Sequence, residues 1–164
     1  TPQGAAARRH LARVADVEQR KTNEMIGAEL GYRYAGSPLI VEEDGAAPDA
    51  GFMDYVPSAW PGFRLPHIWL DDGTPIQDRI GTGYTLLVLG GASADTHGLV
   101  SAFAALGVPL QVLALTDDAP RSVYGRDFLL LRPDLHVVWR ENRLPSDPAA
   151  LARRATGHRQ PAAH

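Results

Sequence analysis

The residues of this chain whose types and spacing bear on chemistry are its glycine turns, paired acids, histidines and aromatics. Gly81-Thr82-Gly83 offers a G-x-G, but position 86 is Leu and the stretch precedes an apolar run instead of following one. A dinucleotide turn needs its glycines after the strand, so that pyrophosphate meets the N-terminus of the next helix. Gly90-Gly91-Ala92-Ser93-Ala94-Asp95 does follow an apolar run and precede a helical pattern. The simpler reading there is a turn at the glycines and a helix N-cap at Ser93 or Asp95, with weak anion binding as the alternative.

The six histidines stand at 10, 67, 97, 136, 158 and 164, with no i, i+4 pair and no local cluster with carboxylates of the kind zinc sites use. His97 has Asp95 nearby, and His136 opens a strand-like run; structural or solvent-facing roles explain both more simply than catalysis. Asp71-Asp72 and Asp117-Asp118 are loop acids, and adjacency in sequence does not make a catalytic dyad. No G-x-S-x-G elbow is present, so a hydrolase triad has no nucleophile signature. Tyr32, Tyr34, Trp60 and Trp69 are able to stack a planar ligand, and covering a neighbouring domain explains them equally well. No catalytic, cofactor-binding or metal residue is therefore assigned.

The elements that must position these groups are clearest from Tyr84 onward. Tyr84–Leu89 and Leu110–Leu115 are short apolar runs without clean alternation, which predicts strands buried on both faces and paired in parallel. A helix-compatible segment, Asp95–Leu106, joins them and is closed by Gly107. After a polar connection, Phe128–Leu131 and His136–Trp139 flank Arg132-Pro133-Asp134-Leu135, where proline presets φ for a tight turn, so an antiparallel hairpin is expected. A helix from Asp147 to about Thr156 follows. This is the element order of a thioredoxin-like domain, and the predicted fold class is α/β: a thioredoxin-like βαβ-ββα sandwich with an N-terminal helix and an irregular, proline-rich extension. The chain has no Cys, so the cysteine pair that such a domain would carry near Gly90–Asp95 is missing and a dithiol redox role is excluded.

Residues 4–26 read as one helix, rich in Ala and Arg, with an apolar stripe of Leu11, Val14, Ala15, Met25 and Ile26. Asp16, Glu18 and Glu24 among Arg8, Arg9 and Arg13 favour a surface helix that packs on a neighbour over a basic helix for nucleic acid or membrane. Gly27 and Gly31 are expected to break the helical pattern. Tyr32 and Tyr34 then share one face of an extended segment reaching Val41, Glu42–Asp54 reads as an acidic surface loop, and Tyr55–His67 is irregular and proline-spaced. His67–Leu70 and Thr74–Ile76 flank Asp71-Asp72-Gly73, a hairpin signal. The predicted division is a helix at 1–26, a linker or extension with a short hairpin at 27–83, the thioredoxin-like domain at 84–156, and a fraying tail at 157–164.

With 164 residues, the chain is long enough for one domain with a core plus an appendage. A net charge of -3 gives no basis for a nucleic-acid or acidic-membrane partner, and no apolar run reaches the length of a membrane span. Zero Cys excludes disulfides and thiolate metal sites and fits a cytoplasmic protein. A chain that opens at Thr1, inside a basic helical pattern, reads as a piece of something larger.

Four segments in register carry a more specific resemblance: Gly31–Val41 (GYRYAGSPLIV), Pro61-Gly62 through Pro66-His67-Ile68-Trp69-Leu70, Gly81–Leu87 (GTGYTLL) and Leu131–Arg140 (LRPDLHVVWR). Together they resemble the C-terminal portion of FAD-dependent aromatic hydroxylases, of the type of 3-(3-hydroxyphenyl)propionate hydroxylase and the related polyketide and phenol hydroxylases. The resemblance runs from about residue 20 to residue 156. It implies a two-part parent whose upstream body binds FAD, takes a hydride from NAD(P)H and hydroxylates a phenolic ring. The downstream part, matching this chain, would serve interdomain packing and homo-oligomer contacts, and the helix at 1–26 would be the end of the flavin-bearing body. The family's Gly-rich dinucleotide fingerprint and later Gly-Asp motif have no counterpart here, so no flavin-binding residue carries over and no cofactor is expected in this chain.

The leading expectation is therefore a non-catalytic C-terminal module that meets the upstream flavin-binding domain through Tyr32, Arg33, Tyr34, Pro66, His67 and Trp69. Two alternatives stay open: one part of an assembled flavin monooxygenase, with Tyr32–Val41 or Pro66-His67 bordering the FAD or substrate pocket, and a stand-alone binding module for a small aromatic ligand.

Overall fold

The computed structural model describes residues 1–23, 25–49 and 51–158. In chain order the elements are α1 (Pro2–Asn23), α2 (Ile26–Leu30), α3 (Ile76–Arg79), β1 (Tyr84–Val88), α4 (His97–Ala104), β2 (Leu110–Ala114), α5 (Asp118–Tyr124), β3 (Phe128–Leu131), β4 (Val137–Glu141) and α6 (Pro148–Thr156). The chain forms two compact units, residues 1–32 with 49–56, and residues 33–48 with 57–164.

In the second unit one sheet has the order β2-β1-β3-β4. β1 and β2 pair in parallel from Tyr84↔Leu110 to Val88↔Ala114, as the joining helix requires, since a parallel pair needs a crossover. β3 runs antiparallel to both β1 and β4, with an irregularity at Leu130/Leu131. The β3–β4 turn closes with Leu135 N–H donating to Arg132 C=O at 2.9 Å and Arg132 N–H donating to His136 C=O at 2.9 Å. Leu135 holds a left-handed φ of 67° there, a conformation in which Gly carries no steric cost.

Strand alternation splits the core in two. Leu86, Val88 and Leu130 face α4 and α6 together with Leu99, Phe103, Leu151 and Ala155. Leu87, Leu89, Leu129 and Leu131 face the other way, onto Tyr124 of α5, Ile76 of α3, and Ala59, Leu65 and Leu70. A sheet covered on both faces explains why β1 and β3 read as continuous apolar runs.

Several details differ from the sequence reading. β2 is an edge strand, and Gln111, Val112 and Ala114 are exposed, because periodicity does not encode position within a sheet. The polar connection after β2 contains α5, ended by Gly125 at φ 73°. The first helix stops at Asn23 and a second begins at Ile26; Glu24 lies outside the described residues. Gly27 sits inside α2 and does not mark a break, whereas Gly31 caps and ends that helix. Thr96, not Ser93 or Asp95, occupies the N-cap position of α4, while Asp95 Oδ1 accepts from His97 N–H at 2.9 Å one step earlier. α6 starts as read: Asp147 Oδ1 accepts from Ala150 N–H at 2.9 Å and Gly157 takes the left-handed C-terminal position. The tail beyond His158 lies outside the described residues. No helix among the described residues is long and apolar enough to cross a membrane.

Candidate interdomain surface

Arg33 and Tyr34 are positioned by the Pro61-Gly62 turn. Arg33 bridges Phe63 in antiparallel fashion, and Tyr34 N–H donates to Gly62 C=O at 3.0 Å. Gly62 has φ 92°, and a Cβ there would stand 3.1 Å from Arg33 Cγ and 3.3 Å from the Tyr34 carbonyl oxygen. Both the backbone conformation and the close approach require glycine. Residues 62–65 in turn lie along the start of β4: Gly62 N–H donates to Val137 C=O at 2.8 Å, Val137 N–H to Phe63 C=O at 2.9 Å, and Leu65 N–H to Leu135 C=O at 2.8 Å.

The Arg33 guanidinium is used locally. Its Nε–H donates to Pro61 C=O at 3.0 Å, its Nη2 pairs with Glu42, and it lies 6.0 Å from the Phe63 ring centroid. Tyr34 is partly exposed. Its ring meets His136 edge-on at 4.8 Å and carries the Arg132 guanidinium at 5.2 Å, while Arg132 also pairs with Asp134 at 2.7 Å. Burial pushes the His136 imidazole below its ordinary pKa, outweighing the neighbouring Asp134 carboxylate, whose pull is further opposed by Arg132.

Pro66, His67 and Trp69 follow on the same strand-like segment with different fates. Pro66 is buried, and its carbonyl accepts the Tyr124 hydroxyl at 2.7 Å. His67 is exposed; its Nδ1 lies 2.8 Å from Gln77 Oε1, and its ring meets Trp69 edge-on at 5.0 Å. Trp69 is 63% exposed although its backbone bridges Pro75. The hairpin around Asp71-Asp72-Gly73 is closed by Leu70 N–H to Thr74 C=O at 2.9 Å. Carboxylates fasten it: Asp117 Oδ1 accepts from the backbone N–H of Asp71 at 2.9 Å, and Asp72 accepts from Thr74 N–H at 2.9 Å and pairs with Arg79. The Thr74 hydrogen bonds, helped by Arg79, hold the Asp72 carboxyl below the usual carboxylate range.

Tyr32, 57% exposed, belongs to the other unit. Among the described residues of that unit only Gly27 and Gly31 are buried. Its large apolar side chains lie at the surface, Leu11 at 67% and Phe52 at 69% exposed among them. Both apolar core clusters consist entirely of residues of the second unit. The six residues singled out from sequence thus divide three ways: Tyr32 in one unit, Arg33 and Pro66 engaged inside the second, and Tyr34, His67 and Trp69 on the second unit's surface.

Sequence reasoning missed the ionic fastening behind this surface. Glu43, placed in an acidic surface loop, is only 10% exposed at its side chain and is held by Arg126 and by Arg140 Nε at 2.6 Å. Arg140 also lies 5.1 Å from the Trp60 ring centroid. Spacing carries no signal for a contact between residues 43 and 140.

The glycine turns do not make a dinucleotide cradle. Gly81 N–H is committed to Gln111 Oε1 at 2.8 Å, and Gly90 faces the Arg121 side chain, where a Cβ would stand 3.2 Å from Cγ. Among the described residues no group of three His, Cys, Asp or Glu is placed to hold a metal ion.

The strand order, the crossover and the terminal hairpin define a thioredoxin-like α/β domain that lacks cysteine. The family described as aromatic-ring hydroxylase, C-terminal, matches residues 58–158, and the chain belongs to it. The chain is 33% identical over 135 residues to the FAD-dependent monooxygenase apdD of Emericella nidulans, covering 78% of this chain and 22% of that protein. It is 29% identical over 168 residues to phenol 2-monooxygenase of a Pseudomonas species, strain EST1001, covering 90% and 27% respectively. Native and K252c-bound RebC-10x superposes with a TM-score of 0.78 at 30% identity, over 97% of this chain and 30% of that one. The chain spans about a quarter of the length of the relatives it matches.

Proposed function

We propose that this chain is the C-terminal accessory domain of an FAD- and NAD(P)H-dependent aromatic-ring hydroxylase. It packs against an upstream flavin-binding body and helps hold copies of the protein together, without catalytic capacity of its own. The observation that carries this reading is the first unit: among its described residues nine large apolar side chains, on α1, α2, Tyr32 and residues 52–56, are exposed, and none of them belongs to an apolar core cluster. Exposed apolar side chains concentrated in one unit point to an interaction site, and about forty residues with no core cluster among those described do not offset the conformational entropy of ordering. In the second unit Tyr34, His67 and Trp69 offer a contact surface of that unit's own, with Arg33 and Pro66 anchoring the segments that present them.

The names of the relatives supply the chemistry of the body: both are monooxygenases, and the fungal one is FAD-dependent. The test is to produce the flavin-binding body without this domain and add the chain as a separate polypeptide. Co-purification, with phenol-dependent NAD(P)H oxidation residing in the body, is the expected result. Failure to associate, or phenol-dependent oxidation by the chain alone, overturns the reading.

A further inference from the structure

Residues 49–56 leave the second unit, join the first, and return. Their backbone lies against α2. Ala28 N–H donates to Phe52 C=O at 3.1 Å. A Cβ on Gly27 would stand 2.0 Å from the Gly51 carbonyl oxygen, 2.7 Å from that of Asp54 and 2.9 Å from that of Phe52. A Cβ on Gly31 would stand 3.5 Å from the Tyr55 ring. Two glycines four residues apart share one helix face, so α2 offers the strap a face free of side chains, with strap backbone against Gly27 and the Tyr55 ring against Gly31. The Phe52 and Met53 side chains stay in solvent, at 69% and 37% exposure. On α2 itself Ile26 and Leu30, also four apart, are 47% and 37% exposed.

The flanks of the strap have one sign of charge. Asp44, Asp49 and Asp54 fall in a stretch, residues 34–63, without a single Lys or Arg, while Glu42 and Glu43 in the same stretch are already paired with Arg33, Arg126 and Arg140. An anchor that combines an exposed aromatic, a flexible Met and flanking carboxylates fits an apolar recess with a basic rim.

Resting on the reading above, we infer that the strap 51–56 and α2 form a docking arm of the domain. Phe52 seats in an apolar, basic-rimmed recess of the upstream flavin-binding body, and the arm takes its fixed shape on that body. The partner is the rest of the same polypeptide because the chain covers only 22–27% of the relatives described above and matches a region named C-terminal, leaving most of such a protein to supply the recess.

Hydrogen exchange tests this on the chain alone and on the chain joined to the body in one polypeptide. Amides of residues 26–31 and 51–56 are expected to exchange at least about tenfold more slowly in the joined protein. Phe52→Asp is expected to erase that slowing while leaving the amides of β1 and β3 unchanged, and rising salt to weaken it. Equal exchange in the two proteins overturns the inference, as does slowing in the isolated chain that grows with its concentration, which would make a second copy the occupant. If body and chain associate in trans and the arm stays unprotected, the inference alone fails. If they do not associate, the accessory-domain reading fails first.

Discussion

Glu43 and Arg140, 97 residues apart, meet at 2.6 Å between Oε2 and Nε. The other oxygen of Glu43 is held by Arg126, and Arg140 also donates from Nη1 to Tyr124 C=O at 3.1 Å. One carboxylate between two guanidinium groups ties residues 42–48 to β4 and to the end of α5. The Glu43 and Arg140 side chains are 10% and 12% exposed, so removing the acid strands a desolvated cation. Glu43→Ala is expected to lower the unfolding free energy by about 2–4 kcal/mol, read from urea denaturation. A change within about 0.5 kcal/mol, the range of a surface pair, would contradict that role.

Thr85 is fully buried in β1, and its hydroxyl has no hydrogen-bond partner among the described residues. An unsatisfied buried hydroxyl is a cost without a compensating bond. Thr85→Val keeps the shape and removes the polar atom, so it is expected to stabilise the domain by about 1 kcal/mol. A lower urea midpoint in the variant would show that the hydroxyl is bonded after all.

His136 gives the second unit an acid-sensitive element. Its pKa is lowered from 6.5 by burial. Below pH 6.5 the unfolded chain takes up a proton at this position before the folded chain does. Stability therefore falls as pH drops from 6.5 to the folded-state value and levels off beneath it. The groups facing the ring are Tyr34, Arg132 and Asp134. His136→Asn is expected to shrink the loss of thermal midpoint between about pH 7.5 and 5.5. An unchanged loss would assign the acid sensitivity elsewhere.

Gly27→Ala places a methyl group on the Gly51 carbonyl, 2.0 Å away, and the strap has to leave α2. Chymotryptic cleavage after Phe52 or Tyr55 is expected to accelerate at least about tenfold, with the cooperative unfolding of the sheet unchanged. Unaltered cleavage would mean that the strap is not held by this helix face.

Much of the sheet was legible because its signals are local. The apolar runs at 84–89 and 110–115, the Arg132–Leu135 turn and the Asp147 cap each rest on a few neighbouring residues. α5 escaped because Asp117-Asp118-Ala119-Pro120 looks like a turn and the helix is seven residues long, too short to display an apolar stripe. The edge position of β2 and the burial of Glu43 depend on partners far away in sequence. The candidate surface was half legible. Exposed aromatics at 32, 34 and 69 follow from an apolar pattern with no strand to absorb it, whereas the inward commitment of Arg33 and Pro66 is set by Glu42, Pro61 and Tyr124.

On the proposed function this domain packs and positions while the flavin is held elsewhere. Titrating the purified chain with FAD, and following flavin absorbance and fluorescence, tests it most directly. No saturable change is the predicted result, in keeping with a Gly81 amide bonded to Gln111 and a Gly90 face filled by Arg121. Saturable binding would contradict it and would place a flavin contact in this chain, with Tyr32, Tyr34 and Trp69 the first residues to replace.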